Sequence, residues 1–294
     1  MILILTYDLK FDEAARCLDG ITIDGHKKVH TLTLNNLLNS CEFSFYKEGS
    51  ETYVKGTLPN GLEFDGKKDI LLNRALSFEK LSIDNRPIKE PTRKEFQLFL
   101  ISFLKGFKKK TSLPGLYSLC GDKLPLNLQW HHLKNQAGLD LSYPDFEYSF
   151  GYDTPQIEGL KKPVFTQPDN YYYWKSEKND KPRWNSFIID KPEGLPIVSY
   201  FSGSCISVQA FDESQKIEES IINKIKEYTS VIKKQFNYFM GEMVFFLENE
   251  NLKFGFISPL FKISAQYQGL PSTLKAGLLD YVRGHELEKE EKIK

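Results

Sequence analysis

Apolar residues fall along this chain in short runs and periodic stripes that alternate between strand and helix signatures. Residues 2–7 form an unbroken apolar run, the pattern of a strand covered on both faces. Phe11, Ala14, Ala15 and Leu18 then recur at helical spacing and predict a short helix. Residues 28–34 alternate as a second strand, and 35–40 offer one or two helical turns. Residues 41–46 and 52–58 pair as a hairpin, and Pro59-Asn60-Gly61 turns the chain into 62–64. Another buried strand, 69–75, closes a unit of βαβ order.

After a turn-rich break at 87–91 the period lengthens. Phe96, Phe99, Leu100, Phe103, Leu104 and Phe107 form the wide apolar stripe of a helix over 92–110. Thr92 and Glu95 give it a capping-box start, and Lys105, Lys108, Lys109 and Lys110 crowd its end, where cations complement the helix dipole. Gly138 suits the end of a following helix. Residues 187–203 and 205–211 read as strands joined at Ser202-Gly203-Ser204. Ile217, Ile221, Ile225, Tyr228, Ile232, Phe236 and Phe239 mark a long amphipathic helix. Two strands, 243–247 and 252–257, follow as a hairpin around the polar turn 248–251. A last helix is expected over 272–281 with Ser272 as N-cap, and the charged tail 286–294 is expected to fray.

Composition narrows the class. With 294 residues, 40% apolar and 27% charged, the chain is long enough for two or three packed layers and reads as globular. Its 39 basic and 39 acidic side chains cancel, so no global field advertises a nucleic-acid partner. The residues after Met1 are too short an apolar run for a membrane span, and no membrane partner is expected. Cys17, Cys41, Cys120 and Cys205 are widely spaced, which suits a reducing cytoplasm and buried structural thiols. The 22 Phe and 15 Tyr make a high aromatic share, and some of those rings are expected to line a groove or an oligomer interface.

Most familiar site chemistries are missing. His131 and His132 are adjacent, so on a helix they point about 100° apart and cannot share a metal. His26 and His30 have helical zinc spacing in a segment that reads as loop into strand. Gly203-Ser204-Cys205 lacks the second glycine of a nucleophile elbow. Tyr171-Tyr172-Tyr173-Trp174 can stack on bases as single-strand binders do, but without a basic groove a sheet or interface contact explains it better.

The order helix, hairpin, then Pro259 and a loop resembles the C-terminal half of the ATP-grasp ligases, in the graspetide branch that joins carboxylates to amines in ribosomal peptide maturation. Upstream matches are Asn73-Arg74 at a strand end, Gly138-Leu139 with Pro144, and the hinge-like layout of 187–203. The resemblance implies an α/β (α+β) fold: an N-terminal βαβ domain (1–87), a shortened helical central region (88–186) and a C-terminal antiparallel sheet with helices (187–294). It also implies that an Asp on the first hairpin strand and a Glu-x-Asn-Pro on the second hold magnesium on ATP. Laid on this sequence, Phe256 stands for the Glu and Ser258 for the Asn, while the Asp falls at Met243 or, with a turn longer by one, at Glu242. Phe offers no lone pair to magnesium. The hinge positions carry Ile188, Ile189 and Val198, and no glycine cluster for phosphates lies between Gly159 and Gly194. The reading is therefore no cofactor, no metal and no catalytic residue.

A scaffold kept without its chemistry implies the ligases' other task, leader-peptide recognition. The size and layout are similar to the peptide-binding helpers of crocagin biosynthesis. The expected function is a non-catalytic binder of a precursor peptide that presents it to a maturation enzyme, working as a homodimer. The expected peptide contacts are Arg93, Phe96, Lys105, Lys108 and Lys109 on the first long helix and Val198 and Tyr200 on the 197–211 hairpin, where an edge strand can add an extended peptide. The alternative is a divergent ATP-dependent carboxylate-amine ligase that draws metal ligands from Glu242, Glu248 or Glu250.

Overall fold

The computed structural model describes residues 1–76, 82–83, 86–87, 92–115, 119–135, 139–150, 163–166, 171–175 and 185–291. The two strands expected at 2–7 and 69–75 become neighbouring parallel strands, β1 (Ile2–Thr6) and, further on, the strand Ile70–Arg74. Both are buried along their whole length, as strands between two packed layers must be. Between them run α1 (Glu13–Leu18), β2 (Thr22–Ile23), β3 (Lys27–Thr33), α2 (Leu34–Asn39), β4 (Glu42–Glu48), β5 (Glu51–Thr57) and β6 (Glu63–Asp65). Asp12 caps α1 by accepting from the Ala15 amide, and Thr33 caps α2 by accepting from Asn36. Phe11 precedes the α1 cap and is 68% exposed, so it drops out of the expected stripe.

Numbered on, Ile70–Arg74 is β7; β8 (Ser82–Ile83), β9 (Arg86–Pro87), α3 (Thr92–Lys105) and β10 (Lys109–Lys110) follow. The N-terminal sheet has the order β10-β7-β1-β3-β2, and β4-β5-β6 form a separate ribbon. α3 stops at Lys105, five residues short of the expected end. Gly106 packs so tightly on Val54 that a Cβ there would lie 2.9 Å from the valine side chain. Lys109 and Lys110 then pair with β7, and the Lys110 ammonium returns to the helix end by donating to the Phe107 carbonyl at 2.5 Å. The α3 stripe, with Phe103 and Phe107 against Phe64, fills the core between the sheet and the ribbon.

The chain continues through α4 (Leu126–Lys134), β11 (Phe146–Phe150), β12 (Pro163–Thr166) and β13 (Asn185–Asp190), the strands forming an antiparallel sheet of order β11-β13-β12. Next come β14 (Leu195–Ser202), β15 (Cys205–Ala210), α5 (Glu219–Gln235), β16 (Met240–Glu248), β17 (Asn251–Ser258) and α6 (Leu270–Glu291). The C-terminal sheet is antiparallel, order β15-β14-β16-β17. α5 covers one face, where Ser199 meets Thr229 at 2.8 Å, and α6 covers part of the other, where Ser207 meets Thr273 at 2.8 Å. α6 runs ten residues past its expected end and reaches back to α1, and Arg283 pairs with Asp24 at 2.9 Å. One continuous core joins Ile2, Ile4 and α1 to the C-terminal sheet. Among the described residues no helix is long and apolar enough to cross a membrane.

Candidate functional site

The β16–β17 hairpin sets the geometry. Its turn is only Asn249-Glu250, both with positive φ (47° and 68°), so the strands run closer to the tip than the polar run 248–251 suggested. An irregularity after Val244 leaves Gly255 without an opposite residue and shifts the register by one. Glu242 therefore faces Ser258 and Val244 faces Phe256, all on one side of the sheet, while Met243 faces Ile257 on the other. Of the two positions the sequence left open, Glu242 shares its side of the sheet with Phe256 and Ser258, and Met243 does not.

That carboxylate is fully engaged. Glu242 has no solvent exposure and accepts from the amides of Lys262 (3.1 Å), Ile263 (3.1 and 3.2 Å) and Ser264 (2.9 Å) and from the Ser264 hydroxyl at 2.7 Å. The Tyr172 hydroxyl donates to it at 3.3 Å. Burial pushes the Glu242 carboxyl up from its ordinary value, and the bonds from Ser264, Ile263 and Lys262 oppose that push. Three successive amides aimed at one anion make a nest, here closed on the protein's own side chain.

Beside Glu242 the sheet face is filled with rings. Phe256 stacks on Tyr171 (5.3 Å between centroids) and on Trp174 (5.4 Å), and Tyr172 meets its edge at 5.9 Å. Trp174 also packs on Phe246 at 5.4 Å. These aromatic residues, Tyr171–Trp174, sit in a tight turn that leads into a single 3-10 turn at Tyr173–Lys175. From the other side Trp130 of α4 contacts Phe146, Tyr173 and Phe187, joining the central sheet to the same aromatic body.

Arg74, at the end of β7, is buried rather than at the surface. It pairs with Asp12 at 2.8 Å and donates to the Pro259 carbonyl at 2.8 Å, and Asp12 also accepts from Thr6. Its guanidinium lies 5.5 Å from the Phe261 ring centroid. Arg74 thus ties the parallel sheet to the loop that follows the hairpin, with every charge paired.

The sequence matches no protein-family model and no curated protein. Solved structures are similar in shape. The macrocyclase MdnC of Microcystis aeruginosa, solved with its precursor peptide MdnA, has a TM-score of 0.62 at 12% identity, covering 95% of this chain and 99% of that one. A RiPP-associated ATP-grasp ligase of Chryseobacterium gregarium, in complex with ADP and leader and core peptides, gives 0.63 at 11%, covering 95% and 96%. The ATP-grasp ligase PsnB, complexed with a minimal precursor, gives 0.58 at 12%, covering 96% and 97%. The chain has an ATP-grasp-like fold.

An ATP-grasp-like fold implies magnesium and ATP, and among the described residues those of the β16–β17 hairpin do not fit them. Phe256 has no donor atom, Ser258 turns its hydroxyl to the Leu260 amide at 3.1 Å, and Glu242 has its oxygens occupied by protein donors. Glu248 is engaged at the far end of the hairpin, with Lys253 at 3.0 Å and the Glu193 amide at 2.8 Å. Among the described residues no group of three His, Cys, Asp or Glu stands close enough to hold a metal.

The residues expected to meet a peptide are divided between the two cores. Phe96 is buried in the N-terminal core, and Val198 and Tyr200 are buried in the C-terminal one, so these three shape surfaces from beneath. Lys105 and Lys108 are exposed and Lys109 is half-buried in β10, while the Arg93 side chain and Gly138 lie outside the described residues. His131 is exposed, and His132 packs on Phe236, as surface and packing residues do. The sheet contact expected of Tyr171–Trp174 is present, but sequence reasoning did not name its partners, Phe246 and Phe256, and it missed the tie of Arg74 to Asp12. The run of four aromatic residues was the available signal for that contact.

Proposed function

We propose that this protein is a non-catalytic binder of a precursor peptide in ribosomal peptide maturation, presenting the peptide to a partner enzyme. The observation that carries this reading is Phe256 held between Tyr171 and Trp174, where the resemblance to the ligases calls for a metal-holding carboxylate. Rings in face contact there take the room and the dielectric that a magnesium-bound triphosphate requires, and Glu242 anchors a loop instead of a cation. Peptide recognition is supported by the similar folds, whose structures were solved with precursor, leader or core peptides bound to those proteins. Phe45 on the ribbon and Leu98 on α3, 41% and 66% exposed, offer apolar surface for a homodimer or a maturation enzyme.

The test is calorimetric titration of the purified protein with the precursor peptide encoded beside it, without nucleotide. Saturable binding with no peptide modification supports the binder. ATP-dependent formation of an amide or ester in that peptide by this chain alone would instead establish the divergent ligase.

A further inference from the structure

The C-terminal sheet has two edges, and among the described residues only one is closed. Along β17, Ser142 brackets Lys253 by accepting from the Phe254 amide (2.9 Å) and donating to the Leu252 carbonyl (3.3 Å). Trp130 Nε1 donates to the Gly255 carbonyl at 2.8 Å, and the Gln129 amide meets both the N–H (2.9 Å) and the carbonyl (3.1 Å) of Ile257. A side-chain amide here imitates the strand that would otherwise pair.

β15, the opposite edge, has no such cover among the described residues. The Phe211 amide bonds to the Pro196 carbonyl at 2.9 Å, which fixes the alternation: residues 205, 207 and 209 bond inward to β14. Ile206 and Val208 therefore turn their N–H and C=O groups outward, and neither residue has a partner for them among the described residues. The open stretch ends at Ala210, whose carbonyl accepts from the Tyr267 hydroxyl. Edge strands are normally blunted by charge, proline, bulge or cover. β4 carries Glu42, Lys47 and Glu48, whereas β15 reads Cys-Ile-Ser-Val-Gln-Ala, with no charge, no proline and a regular register.

The surroundings choose the occupant. Asp280 of α6, exposed, stands at one end of the edge and accepts from Ser204 at 2.6 Å. Asp212 and Glu213, also exposed, stand just past the other end. Two copies pairing antiparallel about Ser207 would bring the Asp280 end of each to the Asp212 end of the other, carboxylate against carboxylate. A single extended strand with uncharged residues at its centre and cations at its ends meets these exposed carboxylates, while the Lys233 ammonium at the Asp280 end is buried and bound to the Gly203 carbonyl.

We infer that the β15 edge is the seat of an extended peptide segment that adds as a fifth strand, with Lys or Arg flanking an uncharged centre. This rests on the peptide-binding reading and names its site and its chemistry. The probe is a fluorescein-labelled synthetic peptide, Arg-Val-Thr-Val-Thr-Val-Arg, beside the same peptide with Asp at both ends and two versions N-methylated on alternate residues. Fluorescence anisotropy is expected to show the Arg-ended peptide binding at least about tenfold tighter than the Asp-ended one. One N-methylated set should abolish binding while the other leaves it within about threefold, because only alternate amides face the edge. Val208→Pro, which removes an outward N–H and no bond to β14, should weaken binding about tenfold or more. Thermal melting shows whether that variant is folded, and the N-methyl comparison needs no variant. No binding by the Arg-ended peptide, equal loss from both N-methylated sets, or tight binding to folded Val208→Pro overturns the inference. Precursor binding that Val208→Pro leaves intact overturns this site alone, and absence of any precursor binding overturns the reading beneath it.

Discussion

Replacing Glu242 separates a structural carboxylate from a metal ligand. In the folded protein its oxygens receive the amides of Lys262, Ile263 and Ser264, and Ile263 and Ser264 are buried. Glu242→Ala strips the two buried amides of their acceptor. At about 1–3 kcal/mol for each buried donor left unpaired, the expected loss is about 2–6 kcal/mol. Glu242→Gln keeps one oxygen and turns an NH2 towards donors, so the expected loss is about 1–3 kcal/mol. Urea unfolding at neutral pH reads this as a lower midpoint with an unchanged slope. A carboxylate poised for a cation behaves differently: its replacement leaves the nucleotide-free protein as stable as before, and magnesium with ATP stabilises the wild type by mass action. Glu242→Gln within about 0.5 kcal/mol of wild type, together with a midpoint raised by magnesium-ATP, would refute the reasoning.

Other substitutions test the remaining contacts. Trp174→Ala empties the space between Phe246 and Phe256 and should cost about 3–5 kcal/mol by thermal or urea unfolding, against under about 0.5 kcal/mol if that ring is idle. Phe256→Glu with Ser258→Asn rebuilds the ligase pattern in sequence but buries an unpaired carboxylate among rings; the double variant should lose at least about 3 kcal/mol and gain no magnesium-ATP binding. Arg74→Met leaves Asp12 buried without its cation and should destabilise by about 3–5 kcal/mol, a midpoint shift that salt changes little. Gln129→Ala uncovers the Ile257 backbone at the β17 edge and should both lower stability by about 2–4 kcal/mol and raise aggregation, seen by light scattering.

Much of the fold was legible because its pattern is local. The strands expected at 2–7 and 69–75 became β1 and β7, short stretches with apolar centres that suit a strand buried on both faces. The stripe from Ile217 to Phe239 became α5, which takes in Ile221 to Ile232 and leaves Ile217, Phe236 and Phe239 just outside its ends. What failed depends on contacts distant in sequence. The end of α3 was set by how closely Gly106 approaches Val54, a fact no lysine count reveals. The hairpin register turned on the unpaired Gly255, so spacing alone left Glu242 and Met243 undecided. Arg74 and Asp12 meet across 62 positions, and Tyr171 meets Phe256 across the fold, without any period joining them. The aromatic run was legible as a sheet contact, but that its rings meet Phe256 was not.

We propose that aromatic side chains occupy the place that a metal-bound triphosphate takes in the ligases. Isothermal calorimetry of the wild-type protein with ATP in excess magnesium measures it directly. The account predicts no saturable heat at millimolar nucleotide and no ADP released. Stoichiometric binding that Glu242→Gln abolishes would contradict it.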